Sequence, residues 1–150
     1  MYPRLGLTRN IIRRHYALLT PDAYVPSALP GWTKATAYVL ISAALGARLS
    51  QWLIALEKDG RGRGEAEADE LFFYIVAGAG KLNAQPLAAG GFGYVPPGDG
   101  YEFISTAKDT RVLIFRKNYE PLEGAEPPTF FTGHEKDVAE TPSSETLMPA

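Results

Sequence analysis

Glycine and proline interrupt this chain about every ten residues, and between them lie short runs of valine, isoleucine, leucine and aromatic residues. Cut at that interval, the polypeptide has room for strands and turns but little for long helices, and no segment carries a helical stripe of apolar residues. The expected class is all-β, a sandwich or a barrel. Strands are predicted at residues 16–19, 37–41, 49–56, 71–76, 93–95, 101–105 and 112–116.

The run Leu71-Phe72-Phe73-Tyr74-Ile75-Val76 does not alternate apolar with polar residues, and neither does Trp52-Leu53-Ile54-Ala55-Leu56. A strand of that kind needs cover on both faces. One face would line the interior and the other would meet a second sheet or a partner. In a chain of 150 residues this points to an interchain or interdomain contact, with packing under the N-terminal segment as the alternative.

Composition narrows the function. With 45% hydrophobic residues the chain suits one domain. The expected organisation is an N-terminal arm over residues 1–15, a barrel over 16–125, and an irregular, linker-like segment over 126–150. The glycine-rich, acidic stretch 60–70 reads as a loop entering the strand at Leu71. Net charge is -2, and the basic residues are scattered apart from Arg13-Arg14 and Arg61/Arg63, so no nucleic-acid partner is expected. Cysteine is absent, which excludes disulfides, thiolate metal sites and a cysteine nucleophile. No apolar run approaches the roughly 20 residues that span a bilayer, and the N-terminus lacks a signal-peptide pattern. A soluble cytoplasmic protein with no membrane partner is expected.

Gly90, Pro96 and Gly98 stand at the spacing G-x5-P-x-G. This is the turn of the second cupin motif, G-x5-P-x-G-x2-H-x3-N, but Tyr101 and Ser105 occupy the histidine and asparagine positions. The first cupin motif, G-x5-H-x-H-x3-4-E-x6-G, brings two histidines and a glutamate onto a divalent metal. If Gly78 closes it, Leu71 takes the glutamate position, and the histidine positions hold either Glu65 and Glu67 or Gly64 and Ala66, depending on the count. No imidazole is supplied, and Glu70 lies one residue out of step, which on a strand means the other face. The chain therefore resembles a cupin, a single-domain jelly-roll β-barrel, without its metal.

Two kinds of site remain open. Tyr74, Tyr94, Tyr101 and Phe103, with Phe92 nearby, could line the barrel mouth around a small polar ligand, or simply form core. Glu65, Glu67 and Tyr101 could hold a hard cation through oxygen; otherwise the glutamates solvate a loop and the phenol fills the barrel. His15 and His134 are far apart in sequence and read as packing and loop residues. There is no G-x-S-x-G, and Gly90-Gly91-Phe92-Gly93 lacks the lysine of a phosphate-binding loop.

A closer resemblance rests on Ala17-Leu18-Leu19-Thr20-Pro21-Asp22, Pro30-Gly31 with Trp32, and Phe73-Tyr74-Ile75-Val76-Ala77-Gly78. It continues through Val95-Pro96-Pro97-Gly98 and Arg116-Lys117-Asn118-Tyr119-Glu120-Pro121-Leu122-Glu123-Gly124. Over residues 10–135 the chain is similar to the N-terminal half of the (S)-ureidoglycine aminohydrolase family, two-cupin proteins of allantoin degradation. The resemblance implies that the second cupin holds manganese and the catalytic residues, while the first is a metal-free barrel. It implies no catalytic residue, no metal and no cofactor for this chain, and a homo-oligomer or a second cupin domain as its partner. By that resemblance the complete protein hydrolyses ureidoglycine to ureidoglycolate and ammonia, and this chain alone is structural and inactive. The alternative is a stand-alone cupin that binds a small polar ligand as a sensor or accessory protein.

Overall fold

Residues along most of these strands alternate between a buried side and a more exposed one, and that alternation curls the sheet around a core. The computed structural model describes residues 9–140. Its strands are β1 (Ile11–Ile12), β2 (Ala17–Leu18), β3 (Pro26–Ser27), β4 (Trp32–Ile41), β5 (Leu49–Glu65), β6 (Asp69–Ala77), β7 (Ala79–Leu82), β8 (Gln85–Ala88), β9 (Gly91–Val95), β10 (Gly100–Ser105), β11 (Thr110–Asn118) and β12 (Phe131–His134). Three short 3₁₀ turns complete the inventory, and no α-helix occurs among the described residues. The all-β expectation holds.

β1 and β2 form a small ribbon of their own. The other ten strands form one antiparallel sheet that runs β12-β9-β6-β11-β5-β10-β7-β8, with β4 also on β5 and β3 on β4. β5 makes the barrel possible. Its first half pairs β11 from Leu49 to Leu56, and its second half pairs β10 from Arg61 to Glu65. Between them Asp59 adopts φ 64 and Gly60 is buried, so the strand bends from one wall of the barrel to the other.

Ile54 and Leu56 of β5, Leu71, Phe73 and Ile75 of β6, Val112 and Ile114 of β11, and Phe103 of β10 meet in the interior. Each large side chain taken fully from water contributes about 1.5–3 kcal/mol before chain entropy is set against it. Among the described residues Ser105 and Thr110 are the buried polar ones, and they bond each other at 2.8 Å while both reach the Ala107 carbonyl. No polar atom is stranded at that turn.

The doubly apolar β6 is covered on its outer side partly from within the chain. Phe72 lies against Phe92 and Phe115, with ring centroids 5.6 and 6.4 Å away. Phe131 on β12 packs edge-on to Phe92 at 6.5 Å, yet Phe131 and Val76 each remain 45% exposed.

Several elements depart from the sequence reading. The stretch 60–70 is not a loop: β5 runs through residue 65 and β6 starts at 69, leaving a turn of residues 66–68. Gly60 and Gly62 are buried, whereas Arg61, Arg63 and Glu65 are exposed, so the segment does alternate, with glycine in the inward positions. The residues expected over 126–150 to be irregular include β12, which pairs with β9. The β7–β8 hairpin was also not expected, because alanine, glycine, lysine and glutamine make weak strands on paper. Its turn residues Asn83 and Ala84 both have positive φ, 46° and 67°, as a two-residue hairpin requires. The linker-like residues 141–150 and most of the N-terminal arm lie outside the described residues.

Candidate functional site

Antiparallel partners put their side chains on the same face of a sheet, and this decides between the two counts of the first metal motif. Tyr101 pairs with Gly64, and Gly100 with Glu65. Tyr101 is buried in the core with Ala66 and Leu71, while Glu65 is exposed. The inward positions are thus Gly64, Ala66, Leu71 and Tyr101. Glu65 projects from the opposite face to Tyr101, and Glu67 sits exposed in the hairpin with φ 55. Glu65, Glu67 and Tyr101 do not converge, so the oxygen-ligand set considered from the sequence is not assembled. Among the described residues no three histidine, aspartate or glutamate side chains come together as a metal site.

Aromatic rings take up the space instead. A Cβ on Gly64 would fall 2.7 Å from the Tyr101 hydroxyl, and one on Gly62 would fall 2.2 Å from the Trp32 ring. Tyr101 packs on Phe73 at 5.3 Å and on Trp32 at 6.4 Å, and Phe103 lies 6.4 Å from Trp32 and 6.5 Å from Phe73. Burial pushes the Tyr101 phenol above its ordinary pKa, which keeps it neutral and makes it a poor ligand for a hard cation. A glycine, an alanine, a leucine and a neutral phenol do not fit manganese. The indole N–H of Trp32 is buried among these rings without a hydrogen-bond partner.

Of the four aromatics expected at the barrel mouth, Tyr101 and Phe103 point inward and pack as core. Tyr74 and Tyr94 face the other way, because Tyr94 is paired with Phe72 and Tyr74 with Phe92 on the outer surface. The Tyr74 hydroxyl donates to Glu135 at 2.7 Å and that of Tyr94 to Glu70 at 2.7 Å. The bond to Glu135 raises the Tyr74 pKa, and burial followed by the bond to Glu70 raises that of Tyr94. The four residues are not brought together around one cavity. His134 holds its own strap in place: Nε2 lies 2.9 Å from the Ala89 carbonyl, and Nδ1 accepts from the Lys136 N–H at 3.1 Å.

The turn motif keeps its backbone role. Gly90 and Gly98 have φ of +86° and +83°, and Gly98 donates to the Glu67 carbonyl at 2.9 Å, tying the turn to the β5–β6 hairpin.

A cleft of about 360 Å³ opens at the end of the barrel beside that hairpin, lined in part by Ser50, Trp52, Asp69 and Arg116. Sequence reasoning missed it. Arg116 follows Val112 and Ile114 in the inward register of β11, and a charge in that register was the available signal. Its Nε donates to Asp69 at 2.6 Å and one Nη to the Ala66 carbonyl at 3.3 Å.

No family model matches the chain. It is 33% identical over 131 residues to an (S)-ureidoglycine aminohydrolase of Escherichia coli (strain K12), a match that covers 81% of this chain and 50% of that protein. The chain spans about half the length of the curated relatives it matches. Among solved structures it superimposes on protein Ylba from E. coli with a TM-score of 0.78 at 29% identity, covering 89% of this chain and 58% of the other. The fold is shared with a predicted oxalate decarboxylase from Thermotoga maritima at a TM-score of 0.61 and 18% identity, covering 68% of this chain and 99% of that one. The barrel is a cupin.

Proposed function

Since the chain is a cupin barrel homologous to half of the (S)-ureidoglycine aminohydrolases, we propose that it serves as the non-catalytic N-terminal barrel of such a hydrolase, supporting a second barrel that carries manganese and the reacting groups. The observation that carries this reading is the aromatic filling at the metal positions: Gly64, Ala66, Leu71 and Tyr101 leave neither ligands nor space for a metal-bound substrate. The reaction of the complete protein breaks the C–N bond to the amine of ureidoglycine, forms a C–O bond to water and releases ammonia. Among the described residues no three histidine, aspartate or glutamate side chains are grouped to hold a metal for that step, which supports the reading.

The outer aromatic face supplies the supporting role. Phe72, Phe92 and Phe115 are half-buried and Phe131 is exposed, making an apolar surface of the kind that marks a contact. Its proposed occupant is the second barrel, for which the double length of the relatives leaves room. A cytoplasmic setting agrees with the absence of cysteine, and no helix among the described residues is long and apolar enough to cross a membrane.

The test is metal content and activity of the purified chain supplied with manganese. Negligible bound metal and no ammonia release from ureidoglycine are expected. Stoichiometric metal, with ammonia release that a chelator abolishes, would overturn the reading.

A further inference from the structure

Two clefts adjoin at the end of the barrel and share Ala47 and Leu49 in their lining. One, of about 300 Å³, lies under the N-terminal ribbon and is lined by Arg13 and Arg14. The other, of about 360 Å³, is lined by Arg48 and Arg116. Lys117 also borders the second cleft, from the β11 position next to Arg116 that faces the other side of the sheet, opposite Glu70. Asp69 is the one carboxylate in either lining among the described residues. Four arginines therefore gather around one acid in a chain whose net charge is -2.

Arg116, already paired with Asp69, is held so as to present an N–H here. Asp69 and the Ala66 carbonyl hold its Nε and one Nη, which fixes the plane of the guanidinium, and its other Nη has no protein partner among the described residues. A fixed guanidinium with a free N–H is suited to a carboxylate oxygen. Ser50 adds a hydroxyl on the same side, and Leu49 and Ala47 form an apolar saddle between the two basic ends. Inorganic phosphate would use the charge but not the saddle.

We propose that the paired clefts bind a small aliphatic dicarboxylate, with its carbon chain across Ala47 and Leu49, one carboxylate toward Arg116 and Arg48, and the other toward Arg13 and Arg14. This goes beyond the structural role proposed above and does not depend on it, since neither metal content nor ammonia release is affected by its failure.

The experiment is calorimetric titration of the full chain with succinate and with adipate, using adipamide, butyrate and inorganic phosphate as comparisons. One of the diacids is expected to bind saturably and about tenfold more tightly than butyrate, with adipamide not binding, because charge-assisted hydrogen bonds account for differences of that size. Arg48→Gln, and separately Arg13→Gln with Arg14→Gln, should each weaken the diacid about fivefold or more while leaving the thermal midpoint unchanged. These arginines lie outside the core, so the variants keep the test independent of folding, as Arg116→Gln would not. The proposal is overturned if the diacids bind no better than adipamide or butyrate, if phosphate binds as tightly, or if the Arg13/Arg14 double variant retains full affinity.

Discussion

Glycine at two inward positions of β5, Gly62 and Gly64, makes room for rings from other strands, and Gly64 does so at a position where a metal-binding cupin carries a histidine. Gly62→Ala would put a Cβ 2.2 Å from the Trp32 indole. Overpacking of this kind should cost about 1–3 kcal/mol, read as a lower urea midpoint. Tyrosine makes a second prediction, in pH. Tyr94 and Tyr101 have pKa values raised in the folded state, mainly by burial. A raised acid pKa favours the fold fully below the unfolded value near 10 and loses that contribution as pH rises toward the folded one. Stability measured by urea at pH 8 and pH 11 should therefore fall at the alkaline end, and the double variant Tyr94→Phe, Tyr101→Phe should fall less. At this scale the sequence was informative about the missing imidazoles but silent on facing. The choice between Glu65/Glu67 and Gly64/Ala66 is a shift of one residue, and only the Gly64–Tyr101 pairing settles it. The same ambiguity puts Tyr74 and Tyr94 at a barrel mouth, whereas both are on the outer face of the sheet, Tyr94 buried there against Phe131.

Strands rich in large apolar residues were legible at the level of elements, and those built from small or polar ones were not. β6 and β11 announce themselves by composition, whereas the second half of β5 hides its alternation behind glycine, and β7, β8 and β12 depend on neighbours for their cover. The β7–β8 hairpin carries a strained residue that can be used. Ala84 sits at φ 67, a region that costs an ordinary L-residue about 1–2 kcal/mol. Ala84→Gly should relieve part of that and raise stability by up to about 1 kcal/mol, seen as a higher thermal midpoint. The cleft arginine Arg116 shows the complementary limit. Its inward register could be counted along β11, but its partner Asp69 comes from another strand, and no spacing in the chain foretells the pair.

For the whole molecule, the question is what covers the aromatic outer face. If a second copy of the isolated chain packs there in place of the second barrel, Phe115→Lys should lower the sedimentation coefficient of the self-associated chain. It should change urea stability by less than a core truncation of about 2–5 kcal/mol, because Phe115 is already half-exposed. An unchanged sedimentation profile would place the contact elsewhere. The fold class was legible from the chain, because the turns that separate its strands are local in sequence. The filled interior and the paired clefts were not, because each is assembled from strands distant in sequence. β5 leads to a further expectation. As one strand bonded to β4, β10 and β11, it belongs to both walls at once, so neither wall can open without releasing the other. Its backbone amides on either side of the bend should exchange with deuterium together, at the rate of global unfolding. Folding should be correspondingly slow, since β5 has to pair with β11 across a long separation in sequence.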